Sequence, residues 1–372
     1  MKLLFLCGSL EQGRDGVGDY TQRLAAELVR QGHQVTAIAL HDQYLDHLYE
    51  GDATRDGVIF PVLRINASAS RQFQLEMTNQ WIDKHDPEWV SLQFVPFAFD
   101  SKGLPFYLSK FLKRLGKGRL WHIMFHELWV GTESNATLKH LLWASLQKRL
   151  IRVLVNNLQP TAIHTQSRVY QMLLEKLGVF SKNLPLFSNI PVSNTASNRM
   201  TLDNVSEIVF VIFGGIHAHA PVEELATEAA NYASRKNVEI TLKIVGRTGK
   251  EQEHWKMVWK KAGLSVREIG EQPIERISEE LTHAAIGIAT TPFCLIDKSG
   301  SVVAMLEHGL PVICVSKQWD VKGFRRDELT SKALEYRAGN FEKIFSYQAT
   351  KTDSCNLSRV AEQFLHDLLM TP

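Results

Sequence analysis

Short runs dominated by apolar residues recur along this chain, each followed by a segment long enough for a helix, and the whole series occurs twice. Leu3–Cys7, Val35–Leu40, Val58–Ile65, Trp89–Gln93, Leu120–Phe125 and Ala162–Thr165 read as the strands of the first series. Tyr20–Arg30, Phe73–His85, Pro105–Leu115 and Ala136–Asn156 carry helical patterning. A strand that is apolar on both faces needs both faces covered, and helices linking parallel strands do this. The second series starts with a strand over Glu207–Phe213, a helix over Glu223–Arg235 and a strand over Glu239–Val245. Further alternation leads to Ala289, then to a helix over Ser301–His308 and a strand over Pro311–Val315. The fold class expected is α/β, with two Rossmann-like domains.

The polar stretch Ser193, Asn194, Thr195, Ala196, Ser197, Asn198 has no periodicity and no apolar anchor, as an interdomain linker would. The expected division is a first domain over 1–192, a linker over 193–206, a second domain over 207–350 and a terminal segment over 351–372. In that last segment Val360, Phe364, Leu365, Leu368 and Leu369 recur at the spacing of an amphipathic helix over Leu357–Leu369.

With 372 residues, 44% of them hydrophobic, each half can bury a core without disulfides or metals. A formal charge of +2 gives no electrostatic argument for nucleic acid. Cys7, Cys294, Cys314 and Cys355 form no C-x-x-C pair, which points away from zinc and thioredoxin-like chemistry and toward reduced thiols. Met1–Cys7 is too short for a signal peptide, and no stretch reaches the ~18 apolar residues of a membrane span. A cytoplasmic location is expected, and the Asn-x-Ser/Thr triplets at Asn66, Asn135 and Asn356 then carry little weight. Phe106, Tyr107, Phe111, Leu112 and Leu115 alternate with Lys110, Lys113, Arg114, Lys117 and Arg119. Such a helix either covers its own domain or rests on the inner face of an anionic membrane.

Four constellations carry candidate chemistry. The turn after the first strand contains Gly13, Gly16, Val17, Gly18 and Asp19. Glycines there admit a ligand close to the backbone, and the next helix turns its positive end to an anion. The spacing is not G-x-G-x-x-G and no acidic residue is expected to end strand two, which disfavours hydride transfer. Gln93-Phe94 and His126-Glu127 close two strands, where open parallel sheets bind ligands. His122 and His126 are four apart but on a strand, so they form no helical metal pair. Gly214-Gly215, with His217 and His219 behind, resembles a backbone cradle for phosphate, and no third ligand suggests a metal there. Finally Gly300 and Ser301, with Lys298 and Ser299 just before them, open the helix that ends at His308-Gly309. A serine cap, free N–H groups and one full positive charge make a receptor for a diphosphate.

In order along the chain, GVGDYTQRLAAELVRQGHQV, SLQFVPFAF, IMFHELW, LKIVGRTG and AMLEHGLPVICV resemble the motifs of GT-B glycosyltransferases of the family-4 type. The resemblance implies two Rossmann-like domains facing a cleft, an acceptor-side first domain, a nucleotide-sugar-binding second domain and a last helix that crosses back to the first. It implies a hexosyltransferase-like enzyme that uses a nucleotide-diphosphate sugar, with retention, no metal and no cofactor, in polysaccharide, glycolipid or glycoside synthesis. It implies that His126 contacts the transferring sugar. The implied donor contacts are Gly16, Val17, Gly18, Gly214, Gly215, His217, Gly246, Arg247, Lys298, Ser299, Gly300 and Ser301. Asp19, Gln93, Phe94 and Glu127 fall on the acceptor side. The partners implied are the nucleotide sugar and a sugar, lipid or small-molecule acceptor, not nucleic acid.

Two departures stand out. CLIDKSGSVVAMLEHG lacks the pair of glutamates seven residues apart that many members carry, and Glu307 is the only glutamate in it. GGIHAHAPVEE lacks the arginine and lysine that many members place there, and Lys298 or Arg247 would have to supply that charge. A catalytically silent protein of the same fold, binding a nucleotide sugar or a partner enzyme, is the alternative. A sugar-nucleotide epimerase is a third reading, since fold does not fix function.

Overall fold

The apolar runs become the centres of two parallel sheets. The computed structural model describes residues 1–192, 206–322, 332–347 and 356–370. The chain divides into two compact units, one of Met1–Pro185 with Leu357–Pro372 and one of Leu186–Asn356. The linker expected over 193–206 lies outside the described residues except for Ser206, and Cys355 lies outside them too.

The first unit contains β1 (Lys2–Cys7), α1 (Gly16–Arg30), β2 (Gln34–Asp42), β3 (Tyr49–Arg55), β4 (Val58–Asn66), α2 (Arg71–His85) and β5 (Trp89–Phe94). Two short helices follow, α3 (Pro96–Phe99) and α4 (Leu108–Lys113), then β6 (Leu120–Phe125), α5 (Leu138–Leu158), β7 (Ala162–Thr165), α6 (Arg168–Glu175) and β8 (Lys182–Asn183). The sheet order is β3-β4-β2-β1-β5-β6-β7-β8. All neighbours are parallel except β3 and β4. The polar β3, YEGDATR, gives no apolar signal, and no strand was expected there. Its mark in the sequence is Asp56-Gly57, where both residues have positive φ (50° and 77°), as a tight antiparallel hairpin requires.

The helix expected over Pro105–Leu115 is shorter, because Gly103 (φ 64°) and Pro105 build a turn in which Leu108 N–H donates to Pro105. The last helix, α12 (Leu357–Leu369), packs on the first unit. Phe364 stacks on Phe5 with ring centroids 6.0 Å apart.

The second unit runs β9 (Glu207–Phe213), α7 (Val222–Lys236), β10 (Glu239–Val245), α8 (Gln252–Lys261), β11 (Ser265–Gly270), α9 (Ile274–Thr282) and β12 (Ile286–Ala289). A 3₁₀ turn over Phe293–Lys298 leads to α10 (Gly300–Glu307), β13 (Val312–Cys314), β14 (Leu334–Glu335) and α11 (Lys343–Ser346). Its parallel sheet has the order β11-β10-β9-β12-β13-β14, the Rossmann arrangement. Alternation along β9 serves two cores. Phe210 and Ile212 pack with Trp255 and Trp259 of α8, whereas Val211 packs with Met305 of α10. In both units the strand order reverses at the first strand, between β1 and β5 and between β9 and β12. The ends of those strands are where such sheets bind ligands.

Candidate functional site

In the first unit the turn after β1 is held by carboxylates. Asp15 caps α1 by accepting from Gly18 N–H at 2.6 Å, which satisfies one orphan donor of the first turn. Both oxygens of Asp19 accept from Gly13 N–H at 3.2 Å, and Arg55 lies 3.3 Å from one of them. Burial pushes both carboxyls above the ordinary range, against which Asp15's backbone hydrogen bonds and Asp19's Arg55 neighbour act. Val17 contributes its carbonyl to Thr21 Oγ1 at 2.7 Å.

β2 runs two residues beyond its expected end, and an acidic residue does end it. Asp42 is fully buried and accepts from Ser9 Oγ at 3.0 Å, Leu10 N–H at 3.2 Å and Arg64 Nε at 2.8 Å. Its oxygens are therefore committed to the β1–α1 loop and to Arg64, not presented to a ribose. Sequence reading missed this residue because the polar His41 seemed to close the apolar run.

At the ends of β5 and β6, Gln93 and His126 come together. His126 Nε2 lies 2.8 Å from Gln93 Oε1, and its ring meets Tyr20 edge-on at 4.9 Å. The backbone N–H groups of His126 and Glu127 donate to Phe94 O at 3.1 and 3.4 Å. The Phe94 side chain packs against Phe99 and Phe125, so what it offers at the strand end is backbone. Glu127 is half-buried.

In the second unit, Gly214, Gly215, His217, Thr290 and the start of α10 converge. His217 N–H donates to Thr290 Oγ1 at 2.9 Å, which ties the loop after β9 to the end of β12. A Cβ on Gly214 would lie 3.4 Å from Ser301 Cβ, so this loop abuts the first turn of α10. Gly214 N–H is used by Val245 O at 3.1 Å, and Gly246 N–H by Gly270 O at 2.7 Å. Ser299 occupies the cap position of α10 but does not cap it with its side chain. Its hydroxyl instead pairs with Thr291 Oγ1 at 3.2 Å and Ser301 Oγ at 3.1 Å, so those neighbours compete with the helix for it. The first-turn N–H groups therefore keep no side-chain partner from the cap.

Lys298 ends the 3₁₀ turn directly before this cap. Arg247 is half-exposed and paired with Glu271 at 2.9 Å. His217 is exposed overall, but desolvation of its ring lowers its pKa, which favours the neutral imidazole. Glu307, at the far end of α10, accepts from Ser188 N–H at 2.9 Å.

The glycines separate into two groups. Among the described residues, all but three have positive φ or would bring a Cβ within 4 Å of a protein atom. The exceptions are Gly16, Gly215 and Gly300, each a candidate donor contact in the sequence. Gly16 opens α1, Gly215 follows β9 and Gly300 opens α10. Neither backbone conformation nor internal packing accounts for glycine at these positions.

Among the described residues no cluster of three or more His, Cys, Asp or Glu could hold a metal ion, and no helix is long and apolar enough to cross a membrane. In the basic segment, Phe111, Leu112 and Leu115 are buried within the first unit, whereas Phe106 is 62% exposed. The helical pattern there is mostly the domain covering its own core.

No family model matches the chain, and no curated protein matches it either. Solved structures do. The chain is similar to HepE of Anabaena in complex with UDP and glucose (15% identity, all of both chains, TM-score 0.60). It is similar to a trehalose-6-phosphate protein of E. coli bound with UDP-2-fluoro glucose (9% identity, 100% of this chain and 99% of that one, TM-score 0.60). It is similar to a glycosyltransferase of Rickettsia africae (14% identity, 99% and 93%, TM-score 0.54). The fold is that of the GT-B glycosyltransferases.

Proposed function

We propose that this chain is a glycosyltransferase that moves a sugar from a nucleotide-diphosphate sugar to a sugar, lipid or small-molecule acceptor, with retention and without metal or cofactor, in polysaccharide, glycolipid or glycoside synthesis. The observation that carries the reading is the set of three glycines with no internal reason to be glycine, at one strand end and two helix starts. A backbone that lacks side chains where its own fold has room for them is suited to close approach by a ligand. The uridine nucleotides of HepE and of the E. coli protein make UDP the first nucleotide to test.

In this reading the diphosphate sits against Gly215 and the first turn of α10, with Lys298 beside it. Breaking the sugar–phosphate bond leaves negative charge on the diphosphate. Preorganised N–H groups, the helix dipole and an ammonium group stabilise that charge more in the transition state than in the ground state. His126, held by Gln93, faces the transferring sugar, and Glu127 and Asp19 lie toward the acceptor. Arg247 and Ser299 support the donor site.

A titration calorimetry experiment with UDP, GDP and ADP, without metal, tests this on the wild type and on Lys298→Ala. Selective binding that weakens by roughly tenfold in the variant, as for one charge-assisted contact, is expected. A folded protein that binds none of the three overturns the reading. The neutral state favoured for His217 and the Arg247–Glu271 pair favour the second reading, a silent binder. It predicts nucleotide binding with neither donor hydrolysis nor transfer.

A further inference from the structure

A line of buried polar groups leaves His126 and crosses the first unit to its last helix. Gln93 Nε2 donates to Ser91 Oγ at 2.8 Å, and Ser91 Oγ lies 2.7 Å from His122 Nδ1. His122 Nε2 lies 2.9 Å from His164 Nδ1, and His164 Nε2 lies 3.0 Å from Asp367 Oδ2. Lys182 Nζ closes the line at Asp367 Oδ1, 2.8 Å away. From His126 to Asp367 every member is at most 7% exposed, so protein atoms, not bulk water, must satisfy them.

The direction of the protons follows from the chemistry of the ends. A carboxylate only accepts, so His164 donates its Nε2–H to Asp367. At the other end Gln93 gives an N–H to Ser91, whose own hydrogen then goes to His122 Nδ1. His122 is left with its proton on Nε2 and donates it to His164 Nδ1. Gln93 Oε1 takes the Nε2–H of His126. Every contact has one proton, and all point toward Asp367. Burial, reinforced by neighbouring His164 and His126, holds the His122 pKa well below the usual value, in keeping with a neutral ring. The hydrogen bonds from His164 and Lys182 hold the Asp367 carboxyl below its ordinary range, in keeping with a permanent acceptor.

We propose that Asp367 is a positioning residue for His126, fixing its Nε2–H tautomer through His164, His122, Ser91 and Gln93. This rests on the sugar-facing role of His126 proposed above. The line carries orientation and not protons, because a glutamine amide interrupts any relay. Its sensitivity lies at Ser91. If the imidazoles reverse, the buried hydroxyl receives hydrogen bonds from both sides and its own hydrogen loses its acceptor. Turning the Gln93 amide over restores that bond and presents an N–H to His126 Nε2, which forces the proton of His126 to Nδ1.

Asp367→Asn is the direct test in the full chain. Lys182 keeps the amide oxygen on its side, so the amide N–H₂ faces His164 and reverses the line. Nitrogen NMR of ¹⁵N-histidine-labelled protein, with His126 assigned from a His126→Gln spectrum, reads the tautomer. Wild type is expected to show the Nε2–H form and Asp367→Asn to lose it, with Asp367→Glu restoring it. In turnover, kcat falls by roughly tenfold to a hundredfold while the donor KM stays within about twofold. An unchanged His126 signal in folded Asp367→Asn overturns the proposal. Should that variant not fold, Ser91→Ala cuts the line midway, and a single unchanged tautomer there overturns it equally. The NMR signal does not depend on turnover. A protein without transferase activity would refute the function while leaving the tautomer result to stand or fall alone.

Discussion

Gly18 stands so close to the end of β1 that a Cβ on it would meet the carbonyl oxygen of Ser9 at 2.6 Å. Gly16, two residues earlier in the same motif, would meet no atom within 4 Å. Two glycines that look equivalent in the sequence are thus held for different reasons. Gly18→Ala forces the backbone of the β1–α1 loop apart and is expected to destabilise by roughly 1–3 kcal/mol. Gly16→Ala, Gly215→Ala and Gly300→Ala are expected to leave the denaturation midpoint unchanged or raise it, by up to about 1 kcal/mol from reduced freedom of the unfolded chain. The same three variants are expected to weaken nucleotide-diphosphate binding. Chemical denaturation beside calorimetry checks both halves, and three alanine variants that bind as wild type would remove the ligand explanation.

Asp42 is the structural anchor of that loop. Its carboxylate takes Ser9, Leu10 and Arg64 together while fully buried. Asp42→Ala leaves the Arg64 guanidinium without this buried partner and is expected to cost roughly 3–5 kcal/mol. Urea denaturation measures it. A loss under about 1 kcal/mol would mean that Glu11, the other carboxylate on Arg64, carries the ion pair.

His122 gives the fold an acid-sensitive point. Its pKa is depressed in the folded state, first by burial and then by His164 and His126, with Asp367 acting the other way. Unfolded chains take up a proton near the ordinary histidine value of about 6.5. Below that pH the unfolded state binds more protons, so stability falls as pH falls, by at most about 1.4 kcal/mol per pH unit for one group. Asp367, whose carboxyl is depressed by His164 and Lys182, adds a loss of the same sign only below about pH 4. Thermal midpoints at pH 7.5 and 5.5 are expected to differ in wild type and to differ by less in His122→Gln, the remainder coming from other depressed histidines such as His217 and His308.

Gly57, with φ 77°, turns the chain between β3 and β4. Gly57→Ala places a side chain in the left-handed region and is expected to cost roughly 1–2 kcal/mol. Asp56, the other turn residue, accepts from Arg23 Nε at 2.7 Å. The same variant should therefore loosen α1, seen as faster amide exchange at its N-terminal half.

Apolar-rich runs determined two largely parallel sheets, since a strand with little wet face must be covered on both sides, and β1, β9 and β10 needed no tertiary knowledge to be read. Turn chemistry marked the candidate donor contacts: Gly16, Gly215 and Gly300 were legible because glycine at a strand end or helix start is a local signal. Tertiary structure alone decided that β3 pairs at the edge, because its polar sequence gains its hydrogen bonds from β4 and not from burial of its own. It alone decided that Asp42 serves the loop and that Gly18 is a packing glycine. It alone joined His126 to Asp367, 241 positions apart in the chain (367 − 126). Hydrogen bonds between neighbouring strands join residues whose separation in sequence follows from sheet order, and sheet order is set by how the helices cover the faces, which no local pattern records.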